Sequence, residues 1–259
     1  MAAIIQTSLH SDRRRWRAAL WWLAGILFFL LLAYGALLLS RSRSFQLFGG
    51  IVNRVDTGDK VVALTIDDGP TPGLTEALLE VLHRHGARAT FFLIGADMER
   101  HQELARSIVI AGHQIGNHSF SHRRMVLKSP AFIRQEVDQT SRIIREVGYS
   151  GPMMFRPPFG KKLLYLPLYL RTQRIPTIMW DIEPDSYDSV ADSTDLIVTH
   201  VLGRVKPGSI ILLHAMNRQP SFDAVEPLLT QLGRQGYRFV TISELLHAGH
   251  THPLSEPGG

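Results

Sequence analysis

Apolar positions along this chain fall into two regimes. Residues 18–39 are almost continuously apolar and carry no formal charge, and about 22 residues of helix reach across the roughly 30 Å hydrocarbon core of a bilayer. From Val61 onward apolar residues recur in short bursts, alternating between runs of strand length and stretches with helical spacing. The runs at 61–66, 90–94, 114–116, 175–180, 209–213 and 238–242 predict strands, with one more just ahead of Arg156; helices are predicted near 74–85, 97–111, 130–148, 195–204 and 222–235. In the third of these helices Phe132, Ile133, Val137, Ile143, Ile144 and Val147 supply the apolar stripe, behind a Ser129-Pro130 start. Repeated βα units predict a parallel sheet, open or closed into a barrel. Residues 44–60, with Gly49-Gly50 and Asp56-Thr57-Gly58-Asp59, read as a stem between the apolar helix and that domain.

Charge orients the first regime. Arg13, Arg14, Arg15 and Arg17 precede the apolar run and only Arg41 and Arg43 follow it, so the cationic excess holds the N-terminus in the cytoplasm and sends everything beyond residue 44 to the far side. Trp16, Trp21 and Trp22 fit an interfacial belt. A cleavable signal peptide is the rival, but its apolar region usually spans 7–15 residues and ends at an Ala-x-Ala-like site. Leu37-Leu38-Leu39-Ser40 offers no such site, so an uncleaved signal anchor is expected. The sequence pI of 9.7 raises a nucleic-acid partner as a reading. Setting aside the six Arg and one Asp of residues 1–43 leaves 22 Lys/Arg against 22 Asp/Glu, so the folded part is formally neutral and no nucleic-acid partner is expected. The chain has no cysteine, which excludes disulfides and thiolate chemistry.

Candidate chemistry gathers where the strands end. The first run terminates in Asp67-Asp68-Gly69-Pro70, two adjacent carboxylates at a turn. Their repulsion calls for a cation or a shared proton. After the run at 114–116 come His118 and His122; on one helical turn that spacing puts two side chains on the same face, about 5–6 Å apart at Cβ. With Asp68 they make a two-His, one-carboxylate set with open positions, as hydrolytic zinc requires and some iron sites also use. Arg156-Pro157-Pro158-Phe159 is a stiff loop able to present an Arg and a main-chain N–H. Trp180-Asp181-Ile182-Glu183-Pro184-Asp185-Ser186-Tyr187 joins acids to aromatics, and Leu212-Leu213-His214 ends an apolar strand in an imidazole. His83, His85, His101 and His113 read as solvated, His200 as a core candidate, and His247, His250 and His252 as part of a floppy tail.

In this order and spacing, over roughly residues 61–246, these elements resemble the five motifs of the polysaccharide deacetylase (NodB-homology) family, carbohydrate esterase family 4. The resemblance implies an α/β fold, a distorted, incomplete (β/α) barrel of parallel strands, here preceded by one N-terminal transmembrane helix. Thr65-Ile66-Asp67-Asp68-Gly69-Pro70 matches the first motif, which makes Asp67 the catalytic base and Asp68 a metal ligand. The second motif, His-Ser/Thr-x-x-His, supplies His118 and His122 as the other ligands. In the third, Arg156 orients the base and the Phe159 N–H helps stabilise the oxyanion. The fourth departs from the pattern. Members often have an Asp with a Trp four residues later, and an ungapped match anchored on Trp180 and Pro184 puts Glu183 and Tyr187 there. The fifth makes His214 the general acid, tuned by that fourth-motif acid. Pro158, Phe159, Trp180, Tyr187 and Leu212 are the expected substrate contacts.

The implied cofactor is a divalent metal ion, Zn2+ first with Co2+, Ni2+ or Fe2+ as alternatives. It lowers the pKa of a water and polarises the carbonyl, while Asp67 takes a proton and His214 returns one to the leaving amine. The expected organisation is a cytoplasmic basic segment 1–17, an anchor 18–39, a stem 40–60, a catalytic domain 61–247 and a tail 248–259. The function expected is removal of N-acetyl groups from an amino-sugar polysaccharide of peptidoglycan, chitin-like or poly-N-acetylglucosamine type, by a membrane-anchored enzyme outside the cytoplasm. The alternatives are an O-acetyl ester hydrolase on glycan and a silent glycan-binding or assembly protein. Oligomeric state is not encoded in these patterns.

Overall fold

The computed structural model describes residues 2–250; the tail from residue 251, with His252, lies outside them. The chain forms two compact units, Met1–Arg41 and Ser42–Gly259. The first is one helix, α1 (Ala2–Arg41), which continues through the basic segment as well as the apolar run. Its stretch Leu20–Arg41 is long and apolar enough to cross a bilayer, and from Leu20 to Leu38 its large apolar side chains are exposed. A core helix of a soluble domain would bury them.

The second unit opens with β1 (Ile51–Val52) and β2 (Val61–Asp67), then α2 (Leu74–Arg84), β3 (Ala89–Leu93), α3 (Gly95–Arg100), α4 (Gln102–Ile110) and β4 (Gln114–Asn117). There follow α5 (Pro130–Glu146), α6 (Tyr165–Thr172), β5 (Thr177–Ile178), α7 (Thr194–Leu202), β6 (Ile210–Leu213), α8 (Gln219–Arg234), β7 (Arg238–Phe239) and α9 (Ile242–His250). The strands run parallel in the order β4-β3-β2-β6, with β7 also on β2 and β1 beside β5. Single bridges, Asn117 to Phe155, Phe155 to Thr177 and Ile182 to Ile211, link the two sheets around the ring. The result is the expected distorted, incomplete barrel, in which one arc is reduced to isolated pairs.

Strand alternation divides the core. In β6, Ile211 and Leu213 join the layer packed under the helices, whereas Ile210 and Leu212 face the interior with Ala63, Phe92, Met154 and Trp180. Three expectations need correction. Residues 44–60 are not a free stem, because Ile51–Val52 pairs with β5, the Val55 N–H bonds to the Gly208 carbonyl at 3.0 Å, and Val55 is buried. The helix read over 97–111 breaks at His101 into α3 and α4. His113 is buried against Phe91 and accepts from the Ala89 N–H at 3.3 Å; burial, then the charge of Arg88, push its pKa down to about 4.

Candidate active site and metal cluster

The paired carboxylates stand at the mouth of the central strand. β2 is buried along its whole length, with Asp67 opposite Phe92 of β3 and Ile66 opposite Leu213 of β6. Successive side chains of a regular strand point to opposite faces. Asp68 breaks that alternation with φ 73°, and its carboxylate therefore swings to the same side as that of Asp67. Both come near one imidazole: His118 Nε2 lies 3.6 Å from Asp67 Oδ2 and 3.7 Å from Asp68 Oδ1. Gly69 follows with φ 67°, and a Cβ there would meet the Met216 side chain at 2.8 Å.

His118 and His122 do converge, with ring centroids 5.0 Å apart, but not on a helical turn. They sit in an irregular loop after β4, with Ser119 and His122 at φ 66° and 54°. The loop is held from α5, where buried Glu136 accepts the Phe120 and Ser121 N–H groups at 2.9 and 2.8 Å and the Ser121 hydroxyl at 2.6 Å. His118 Nδ1 donates to the Arg156 carbonyl at 2.8 Å, which fixes the tautomer and turns the Nε2 lone pair toward the aspartates. Burial, then neighbouring His118, hold the pKa of His122 below its ordinary value, as a neutral ligand needs.

The two aspartates have different partners. Asp67 Oδ1 accepts from Arg156 Nη1 at 2.6 Å. That guanidinium is fully buried and also donates to Thr65 Oγ1, the Ile178 carbonyl and the Met179 carbonyl. Burial presses its pKa down and the charge of Asp67 opposes this. Asp68 Oδ2 accepts from Asn217 Nδ2 at 2.6 Å, while Asp68 Oδ1 is buried with no hydrogen-bond partner.

His214, at the end of β6, takes its partner from Asp185 rather than from Glu183. Asp185 Oδ1 lies 3.1 Å from His214 Nδ1, and Oδ2 accepts the His214 N–H at 2.6 Å and the Ser221 hydroxyl at 2.7 Å. The expectation that Glu183 tunes His214 is thus corrected. Glu183 caps the single 3-10 turn Pro184–Ser186 and Asp185 lies inside it, and at three residues per turn side chains two positions apart face different ways. Burial works against a charge on His214, but the hydrogen bond and charge of Asp185, then Asp67 and Asp68, push its pKa up to about 9. Glu183 instead accepts from Trp180 Nε1 at 2.9 Å, Ser186 Oγ at 2.7 Å and Arg43 Nη2 at 2.6 Å.

The expected substrate contacts separate by exposure. Phe159, 54% exposed, adopts φ 59° and lays its ring 4.8 Å from that of His122. Tyr187, 45% exposed, stacks on half-buried His200 at 5.5 Å. Trp180 and Leu212 are 4% and 1% exposed, which makes them floor and support rather than groove wall, and Pro158 is buried beneath its loop. Asp185, Asn217 and Glu136 were missed in the sequence. Only Asp185 carried a signal, as a second acid within the same motif.

Asp68, His118 and His122 offer ligand atoms that all lie within 4.8 Å of one another. Asp68 Oδ1 is 3.7 Å from His118 Nε2 and 3.3 Å from His122 Nε2, longer than the 2.7–2.9 Å of a charge-assisted hydrogen bond. Ligands about 2.1 Å from a tetrahedral ion sit about 3.4 Å apart. With the orphaned Asp68 oxygen between two imidazoles, the donor set fits a divalent cation.

A family model described as "Polysaccharide deacetylase" matches residues 54–172. The chain is 33% identical over 204 residues to a peptidoglycan-N-acetylglucosamine deacetylase of Bacillus cereus, covering 78% of this chain and 95% of that protein. Among solved structures, the peptidoglycan deacetylase PdaC of Bacillus subtilis matches with TM-score 0.69 at 30% identity, over 76% of this chain and 95% of that one. A CE4 family pseudoenzyme of Bacillus anthracis matches with TM-score 0.69 at 29% identity, over 75% of this chain and 68% of that one.

Proposed function

This chain belongs to the polysaccharide deacetylase family, and from that premise we propose that it is a metal-dependent enzyme removing N-acetyl groups from an amino-sugar polymer of peptidoglycan type. The observation that carries the metal-dependent part is the unpartnered, buried Asp68 oxygen facing two imidazole nitrogens beside a carboxylate already claimed by Arg156. The names of the relatives direct the choice of polymer.

Asp68, His118 and His122 would hold the ion, which when bound supplies Lewis acidity to a water and to the amide carbonyl. Arg156 aims Asp67, holding its Oδ1 at 2.6 Å from a buried guanidinium and leaving Oδ2 free to face the site. Asp67 Oδ2 is then the base that accepts the attacking water's proton. The Phe159 N–H, on a loop held in an unusual backbone conformation, helps carry the developing negative charge. His214, protonated at neutral pH because of Asp185, delivers a proton to the departing sugar nitrogen. Phe159 and Tyr187 supply exposed rings to the glycan.

The domain works outside the cytoplasm, held to the membrane by α1 with the N-terminus inside; the Arg13, Arg14, Arg15 and Arg17 cluster ahead of the span supports that orientation. A pseudoenzyme among the structural relatives makes silence the reading to test against, and the complete set of base, ligands and acid argues for activity. The test is acetate release by the purified full-length chain from a panel of peptidoglycan, N-acetylglucosamine oligomers and O-acetylated glycan, with and without added zinc. Zinc-dependent release from N-acetylated substrates supports the proposal. Release from O-acetyl esters alone, or activity indifferent to chelation, refutes it.

A further inference from the structure

We propose that Arg43 is a positioning residue of this active site, holding Glu183 and through it Trp180 and the Arg156 frame behind Asp67; the proposal rests on the deacetylase reading above. Arg43 follows the apolar helix and lies ahead of every motif, where its charge reads simply as part of a membrane flank. In the structure it turns away from that role. Its Nη2 meets Glu183 Oε2 at 2.6 Å, and its guanidinium lies 4.9 Å from the centroid of the Trp180 ring.

The pair is unlike an exposed salt bridge, which solvent screens to near silence. The Glu183 side chain is only 10% exposed against 37% for Arg43, and the same Oε2 accepts from Trp180 Nε1 at 2.9 Å. Arg156 also lies against the Trp180 ring, at 5.4 Å from its centroid. Two of the acceptors that hold Arg156 are the carbonyls of Ile178 and Met179, the residues that lead directly into Trp180. A shift of Trp180 therefore moves the frame of the guanidinium that aims Asp67.

The segment carrying Arg43 is pinned independently. Buried Lys162 donates from Nζ to the Ser42 carbonyl, Gln46 Nε2 donates to the Gly50 carbonyl at 3.0 Å, and Gly49 sits so near Arg171 that a Cβ would come within 3.3 Å of it. Arg43 is thus presented to Glu183 from a fixed backbone. Without it, a nearly buried carboxylate keeps only Trp180 and Ser186 as partners, and relieves its uncompensated charge by moving toward solvent.

The test uses the full-length chain in detergent, as wild type, Arg43→Ala, Arg43→Lys, Glu183→Gln and the double variant Arg43→Ala/Glu183→Gln. Acetate release from an N-acetylglucosamine tetramer is read beside bound zinc, thermal midpoint and the indole N–H resonance of Trp180, the one tryptophan beyond residue 22. Arg43→Ala should lower kcat about tenfold with KM and zinc content unchanged, and should move the Trp180 resonance. Arg43→Lys should recover part of kcat, having the charge but not the planar stacking group, and the double variant should be no worse than the poorer single one. Wild-type kcat in Arg43→Ala, or a loss of kcat matched by equal loss of zinc or of folded protein, overturns the proposal. If Arg43→Ala fails to fold, wild-type kcat in both Arg43→Lys and Glu183→Gln overturns it equally. A wild-type chain that binds zinc yet releases no acetate defeats the deacetylase reading instead, and an unmoved Trp180 resonance in the variants then overturns the role of Arg43.

Discussion

Replacing Asp185 with Asn strikes the end of the site proposed to donate a proton, without removing a bulky side chain. Asp185 is buried and turns both oxygens toward the end of β6, Oδ1 to the His214 ring and Oδ2 to the His214 N–H and the Ser221 hydroxyl. Burial alone would lower the pKa of His214; the hydrogen bond and charge of Asp185, with Asp67 and Asp68 behind it, raise it from 6.5 to about 9. At about 1.4 kcal/mol per unit, that lift corresponds to roughly 3–4 kcal/mol favouring the imidazolium. Asn keeps the size and one acceptor oxygen but not the charge, so the larger share of the lift goes. The alkaline limb of kcat/KM against pH, which reports the essential acid of the free enzyme, should move down by about one unit or more. Activity near pH 6 should suffer much less, because His214 is protonated there in either protein.

The same shift has a stability signature of defined sign. A group whose pKa is raised on folding contributes stability that is fully present below its unfolded value, near 6.5, and is lost as pH rises through its folded value, about 9 for His214. Denaturant unfolding of the wild type should therefore weaken across that window, and Asp185→Asn should show a flatter dependence. The assays are acetate release from about pH 5 to 10 and a titration of the His214 ring by NMR. An alkaline limb that stays in place in Asp185→Asn refutes the assignment of His214, tuned by Asp185, as the proton donor.

Other substitutions separate neighbouring roles. Asp67→Asn should keep its zinc yet lose about a thousandfold in turnover, within the usual range for a general base, whereas Asp68→Ala and His118→Ala should lose zinc and turnover together; dialysis against limiting zinc beside acetate release distinguishes them. Glu136→Gln removes the charge that gathers the Phe120 and Ser121 N–H groups, and should weaken zinc binding about ten- to a hundredfold while leaving the ligands in place, as read by competition with a chelating dye. Gly69→Ala meets Met216 at 2.8 Å with φ 67°, and should cost more than about 1 kcal/mol, seen as a thermal midpoint several degrees lower.

Legibility of the fold followed the range of the forces involved. The long apolar runs of β2, β3 and β6 and the amphipathic stripes of α2, α5 and α8 are written in local sequence. The two-residue strands β1 and β5 and the lone pairing at Phe155 are not, because their partners are set by closure of the barrel rather than by their own residues. α6 was missed behind Leu164 and Pro167, although proline is tolerated in a helix's first turn. α9 was missed because its opening Ile242 read as the end of a strand. In the site, residue types at motif spacing were legible, and so were the Asp67–Arg156 pair and the convergence of Asp68, His118 and His122. The acid beside His214 was not, since matching by position assigns Glu183 while a single 3-10 turn delivers Asp185. Arg43, Glu136 and Asn217 lie outside every motif and reach the site only through tertiary packing.

Strain explains why the two adjacent aspartates end with different environments. Among the described residues, six non-glycine residues have positive φ, and four of them, Asp68, Ser119, His122 and Phe159, line this one site. Each costs of order 1–3 kcal/mol and persists only where its surroundings over-determine it. Here the surroundings are visible: the Phe92 carbonyl on the Asp68 N–H, the Asn117 side chain on the Ser119 N–H, the Ser119 hydroxyl on the His122 N–H and the buried Pro158 before Phe159. A relaxed strand would send Asp68 to the opposite face from Asp67 and leave the histidines without their carboxylate. The strained turn brings both to one mouth, where Arg156 claims one oxygen of Asp67 and Asn217 one oxygen of Asp68. The remaining oxygen of Asp68 has no hydrogen-bond partner and faces the two imidazoles, and that asymmetry is what fits two neighbours of identical chemistry to the different roles proposed for them, base and ligand.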